Sequence, residues 1–319
     1  MSGNMPPQES APSVTIDPSM TGISGPLKTI YRRANFAIAR ENLLLGQARQ
    51  PHLELSKSAI RETAGIALER APADKRNAII LGAGGCADIP LEEIVDGFHH
   101  TTLVDVTTEQ TEKAVANLPS KLLGKVTLKQ ADVTGSMARM GAVIEEVEEA
   151  SDFTRFLTTA ASGIDQLSRN LGHVDLGNDY SFVSSHLLMS QLSELPLDYF
   201  RSYLQNARRH SEYHPEGAAI FIDLLNDFGN RIQLAHTEQV KRMVGREGVL
   251  HFADTIAAIH DNEVFQSVNV RAVQGLMTNM SQIGLPQTWQ WDFAPNKQFT
   301  VLSMALGSPH GKTTLNSRR

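Results

Sequence analysis

With a single cysteine, Cys86, in 319 residues, the chain can form no intrachain disulfide and no zinc site built on several thiolates, which points to a reducing compartment. Positive charge is not in excess either. There are 29 Lys plus Arg against 35 Asp plus Glu, a net charge of −6, so the footprint of a nucleic-acid-binding or anionic-membrane-binding surface is missing. No apolar run approaches the ~20 residues that span a bilayer. The start of the chain carries Pro6, Pro7, Pro12 and Pro18 instead of the basic, then apolar, pattern of a secretory leader. These absences lead to the expectation of a soluble cytoplasmic protein, with no nucleic acid and no membrane as partner. They carry no signal for oligomeric state.

What is present is ordinary globular composition, 41% hydrophobic and 20% charged. At about 150 residues per domain the length allows roughly two units, or one α/β domain with additions. Residues 1–25, Pro- and Ser-rich with little to bury, are expected to form a flexible tail. Residues 26–71 repeat apolar positions at three- and four-residue steps (Leu27, Ile30, Tyr31, Ala34, Ile38, then Ile60, Ala64, Ala67, Leu68), which predicts an N-terminal helical segment divided at Pro51. Residues 72–306 form the main domain and 307–319 a second polar tail.

Within the main domain, short apolar runs alternate with longer helical stretches. Strands are predicted at 78–81, 101–105, 126–131, 180–185, 218–222, 264–270 and 298–305. Helices are predicted at 91–95, 108–117, over most of 135–177, and at 193–210 and 233–244. This order predicts an α/β, doubly wound, mostly parallel sheet that collects its ligand at the carboxyl ends of the strands. The acidic patch Glu145, Glu146, Glu148 and Glu149 reads as a solvated helix face. His210 and His214 stand four apart, but Pro215 breaks any helix they would share, so no metal is expected there.

The most informative stretch runs from Ile79 to Leu91, where a strand passes through Gly82-Ala83-Gly84-Gly85-Cys86 into a helix near Pro90. Glycine belongs where the backbone turns tightly or where a Cβ would block a ligand from the main chain. Asp105 ends the second strand 21 residues beyond Gly84, where a carboxylate can accept both hydroxyls of a ribose, and Asp132 ends the third on the same rim. Either aspartate alone could simply cap a turn. Together with the glycine loop they describe a slot for a nucleoside across three strand tips. Asp88 reads as a helix N-cap that could also face a ligand amine, and Cys86 as a small filler. Gly82-x-Gly84-x-x-Ala87 with Asp105 also meets the dinucleotide fingerprint, so an NAD(P)-dependent oxidoreductase competes. The Tyr-x-x-x-Lys pair of one large dehydrogenase class is absent. A non-catalytic interaction protein that keeps the sheet without the pocket is the third possibility.

The run Leu81 to Leu91, the strand end Leu103-Val104-Asp105-Val106, the turn Asp132-Val133-Thr134-Gly135 and the stretch Phe182 to Leu192 resemble successive motifs of class I S-adenosylmethionine-dependent methyltransferases. The resemblance covers about 77–305 and is strongest in its first half. It implies a seven-stranded Rossmann-like methyltransferase fold whose last strand, 298–305, is antiparallel, with S-adenosyl-L-methionine as cofactor and an in-line methyl transfer to a small-molecule acceptor. Carried over residue by residue, Gly82, Ala83 and Gly84 would approach the methionine part, and Asp105 with Val106 would hold the ribose. Asp132 and Val133 would meet the adenine, while Ser184, Ser185 and His186 would face the reacting methyl. The acid usual two residues before the first glycine is Ile80 here, and the usual third glycine is Cys86, which leaves Asp88 as the candidate for the methionine amino group. His186 is the candidate general base, with an imidazole that titrates near neutral pH. Tyr31 and Asp223 are weaker candidates for substrate contact. The N-terminal helical segment is expected to cover the cofactor or to form part of the substrate pocket.

Overall fold

Five consecutive apolar or near-apolar residues form a parallel strand only if both faces are covered, and the chain supplies that cover twice. In the computed structural model, which describes residues 13–16, 46–171, 174–207, 213–260, 263–266, 270–294 and 297–308, the strands are β1 (Ser13–Ile16), β2 (Asn77–Leu81), β3 (His100–Asp105), β4 (Val126–Gln130), β5 (Tyr180–His186), β6 (Val244–His260), β7 (Glu263–Gln266), β8 (Ser281–Gln282), β9 (Gln287–Ala294) and β10 (Lys297–Gly307). The helices are α1 (Gly46–Arg70), α2 (Leu91–Gly97), α3 (Glu109–Ala116), α4 (Ser120–Leu123), α5 (Met137–Glu148), α6 (Phe153–Arg169), α7 (Met189–Ala207), α8 (Pro215–Met243) and α9 (Val270–Asn279).

The strands form one ten-stranded sheet with main path β1-β4-β3-β2-β5-β6-β10-β8, while β7 pairs with β6 and β9 with β10. From β1 to β6 every pairing along the path is parallel, and β10 is antiparallel to both β6 and β8. Alternation along the strands splits the core in two. Ile79, Leu81, Val104, Val183, Leu250 and Phe252 meet Ile144, Phe156, Phe200, Leu225, Phe228 and Leu276 of α5 to α9. Ile80, Leu103, Leu128, Phe182 and Val249 meet Ile60, Ala64, Ile94, Val115 and Leu122 of α1 to α4. The sheet is therefore wound on both sides, as expected.

Several expectations differ from the structure. The main path has eight strands where seven were expected. One of the additions is β1, from the stretch expected to be a tail: Val14, Thr15 and Ile16 are β-branched and pair in register with Leu128, Lys129 and Gln130 of β4. Pro51 does not divide the helical segment but lies inside α1, near its start, so only one intrahelical hydrogen bond is lost.

The run expected as a strand at 218–222 belongs to α8. Its buried residues Ala218, Phe221, Leu225, Phe228 and Ile232 recur at helical steps, while Ile220 is 72% exposed, which a buried strand would not allow. Pro215 opens this helix at its first turn instead of closing one. Finally, the strand expected at 264–270 is the shorter β7, and Val270 already begins α9. Residues 26–45, Tyr31 among them, and residues 309–319 lie outside the described residues. Among the described residues no helix is long and apolar enough to cross a membrane.

Candidate functional site

The chain leaves β2 toward β3 and β4 on one side, then returns to add β5 and β6 on the other, so the crossover direction reverses between β2 and β5. Open α/β sheets bind ligands in the crevice outside such a switch point. The glycine loop after β2 and the residues after β5 flank it.

Gly82 and Gly84 both adopt left-handed backbone, at φ +68° and +49°, where a side chain is strained. Their surroundings differ. A Cβ on Gly82 would come within 2.7 Å of the Leu188 side chain, so that space is filled by the chain itself. A Cβ on Gly84 would meet nothing closer than the Gly82 carbonyl oxygen at 4.0 Å, which leaves room for a ligand over the main chain. Ala83 turns its methyl into the core beside α2. Cys86, at the place of a third glycine, is also left-handed at φ +54°, and burial pushes its thiol up, so it is no nucleophile.

The loop is fixed from the neighbouring strand and helix. Asp105 Oδ2 accepts a hydrogen bond from Gly84 N at 2.8 Å, its Oδ1 accepts one from Thr107 N at 3.0 Å, and Thr111 Oγ1 of α3 donates to Gly84 O at 2.7 Å. Burial raises the Asp105 carboxyl, and the backbone N–H groups of Thr107 and Gly84 oppose the shift. Asp105 and Gly84 are therefore brought together at the switch point, with Val106 half-buried beside them. Gln130 Nε2 donates to Val106 O at 3.0 Å, which ties the β4 end to the same rim.

Asp132 is on that rim but buried, its Oδ1 accepting from Thr134 N at 2.8 Å and from Thr134 Oγ1 at 2.6 Å. Its carboxylate thus shapes the turn into α5, and Val133 next to it packs into the core.

The sequence suits Asp88 to a helix cap. The cap position of α2 is instead Pro90, with no side-chain hydrogen bond, because the turn through Ile89 carries Asp88 away from the helix start. Its Oδ2 lies 3.4 Å from Nε2 of His186, with the Asp88 side chain 26% exposed and the His186 side chain 2%. Ser184 and Ser185, expected to face the reacting methyl, lie close by in sequence. They are fully buried inside β5, one on each face because of the pleat, and Ser185 Oγ pairs with His236 Nε2 at 2.9 Å under α8. The strand end proper is His186, followed by Leu187 in left-handed backbone at φ +51°. Such an outlier is a feature of functional sites, and it delivers Leu188 onto Gly82. Asp223 is exposed on α8, away from the switch point, because the strand that would have carried it there is helix.

Several residues of the site carry no sequence signal. His186 Nδ1 lies 3.2 Å from Nε2 of His251 on β6, whose Nδ1 lies 3.2 Å from Thr63 Oγ1 of α1. Asp254, three residues on, accepts from Ser190 N at 2.9 Å and from Thr255 N at 2.7 Å, and so fixes the start of α7. Above them, His52 of α1 accepts a hydrogen bond from Trp289 Nε1 at 2.9 Å and stacks on Trp291 of β9, ring centroids 4.2 Å apart. Burial, then the positive field of His186 and Arg49, pull His52 down to about 3. α1 and the β9–β10 hairpin therefore form an aromatic wall beside the two histidines, with Leu187, Ala253 and Val301 packed against it.

No protein-family model and no curated protein matches this chain. Among solved structures, the N-methyltransferase NodS from Bradyrhizobium japonicum WM9 is 8% identical, the match covering 81% of this chain and 99% of that one, at a TM-score of 0.38. The protein PH0851 is 12% identical, with 77% of this chain and 45% of that chain covered, at a TM-score of 0.37. Scores this low carry no argument, so the functional reading rests on the strand order and the site itself.

Proposed function

We propose that the chain is an S-adenosylmethionine-dependent methyltransferase acting on a small-molecule acceptor. The observation that carries the reading is the pinned glycine loop at the switch point, where Gly84 is open to a ligand and Asp105, on the adjoining strand end, holds its N–H. The residues fit the cofactor at this loop and at Asp88, whose Oδ1 accepts no hydrogen bond among the described residues. At Gly82 the cofactor's approach is replaced by Leu188.

In this reading Gly84 lines the methionine part, Asp105 and Val106 the ribose, Asp132 and Val133 the adenine edge, and Asp88 the amino group. When bound, the cofactor supplies an electrophilic methyl on a sulfonium. The protein's part is to align the acceptor and exclude water, since in-line displacement gains most from positioning. Trp289, Trp291 and His52 wall the site on the α1 side, with the Arg49 guanidinium over the Trp291 ring. His186 lies behind Asp88 with its Nε2 buried against Oδ2, so a proton lost by the acceptor reaches the imidazole through Oδ2 while Oδ1 holds the amino group.

A crystal soaked with S-adenosylhomocysteine tests this. Ligand density with the amino-acid part over Gly84 and the ribose hydroxyls on Asp105 is expected. A nucleoside held elsewhere would overturn the reading.

A further inference from the structure

Three buried polar groups from three distant parts of the chain meet in a line behind Asp88, and the donors can be counted. Thr63 Oγ1 donates its one proton to Ala59 O at 2.9 Å, within α1. The 3.2 Å contact between that oxygen and His251 Nδ1 is then a bond in which the imidazole donates. Burial, then the field of His186, hold His251 well below the usual imidazole range, so it is neutral and its Nε2 carries only a lone pair. His186 must therefore donate from Nδ1 across the 3.2 Å between the two rings. What remains on His186 is a proton-free Nε2, buried, with no hydrogen-bond partner and with a carboxylate oxygen 3.4 Å away. Two acceptors facing each other at that distance repel, and a proton between them relieves the repulsion.

We propose that His251, oriented by Thr63 of α1, is a positioning residue that fixes His186 as the tautomer with its lone pair on Nε2, so that the Asp88–His186 couple is built to receive one proton. The inference rests on the methyl-transfer reading, which it deepens by naming the acceptor class: a nucleophile that arrives with a proton on oxygen or nitrogen. When that X–H bond breaks, its electron pair stays on X. The proton passes by way of Asp88 to form a new N–H bond at Nε2, and His186 becomes an imidazolium. Asp88 stabilises this cation on one side, and the Nδ1–H bond to His251 stabilises it on the other. Burial of the ring opposes it.

The test is long-range proton–nitrogen NMR on the full-length chain labelled with 15N-histidine, at several pH values and without cofactor. Above its titration, His186 should show the Nδ1–H tautomer, and so should His251. In Thr63→Val, which keeps the shape and removes the hydroxyl, the tautomer of His251 should become mixed. The titration of His186 should then fall by about one pH unit, a tenfold loss of proton affinity, and Thr63→Ser should restore both. His251→Phe should give the larger fall wherever circular dichroism shows it folded. Nε2–H tautomers in the unmodified protein, or a His186 titration that Thr63→Val does not move, would overturn the relay. Failure of S-adenosylhomocysteine to bind would sink the functional reading alone, because the tautomer spectra need no cofactor.

Discussion

Gly84 is where a single methyl group separates fold from function. Its φ of +49° makes Gly84→Ala strained by about 1 kcal/mol, and the new Cβ would project into open space. The variant should therefore lose roughly 1 kcal/mol in a urea melt while S-adenosylhomocysteine affinity falls at least tenfold, about 1.4 kcal/mol. Equal affinity in variant and parent would mean that nothing binds over this loop. Gly84 and Asp105 were legible in the sequence because backbone freedom and a strand-end carboxylate are local properties of short motifs. The Asp88 pairing was not legible, since a cap and an outward-facing carboxylate look alike until the turn at Ile89 is known. Thr63 and His251 lie 188 residues apart on elements with no shared motif, so only the packing of α1 on β6 reveals them.

Between elements, two glycines serve close approach in place of ligand contact. A Cβ on Gly163 of α6 would come within 2.6 Å of both Val143 methyls of α5, so Gly163→Ala should cost about 1–3 kcal/mol by overpacking. Gly248→Ala should cost more, because its Cβ would overlap the Tyr180 carbonyl oxygen, and backbone yields less than a side chain. This is the place where the β5–β6 register shifts between Tyr180 and Phe182. Chemical denaturation that ranks Gly248→Ala as the milder of the two would contradict this packing. The same glycines explain why β6 escaped the sequence reading: Gly245 to Gly248 break its apolar pattern at the start, and its 17 residues run well past the usual strand length. In contrast β2, β3 and β4 were legible because each is a short buried run between turn residues. The run at 218–222 misled because five apolar residues suit a strand and a buried helix equally.

At the scale of the whole molecule, buried histidines set the response to acid. His236 is held near 4 by burial, His52 near 3, and His186 and His251 are also lowered. Each has a folded pKa below its unfolded value, so its stabilisation is present above pH 6.5 and is lost as pH falls toward the folded value. For His236 alone this is on the order of 3 kcal/mol across that window. Asp105 and Asp254, raised by burial, work in the opposite sense, since their contribution is lost as pH rises through their folded values. Urea midpoints should thus fall steeply from pH 7 to pH 4, and a flat profile would mean that these histidines are solvated. The most direct measurement of the central claim is calorimetric titration of the intact chain with S-adenosylhomocysteine and, separately, with NADH. Micromolar binding of the first, weakened at least tenfold by Asp105→Asn, with no heat from the second, is the expected result. Micromolar NADH binding with none for S-adenosylhomocysteine would contradict it.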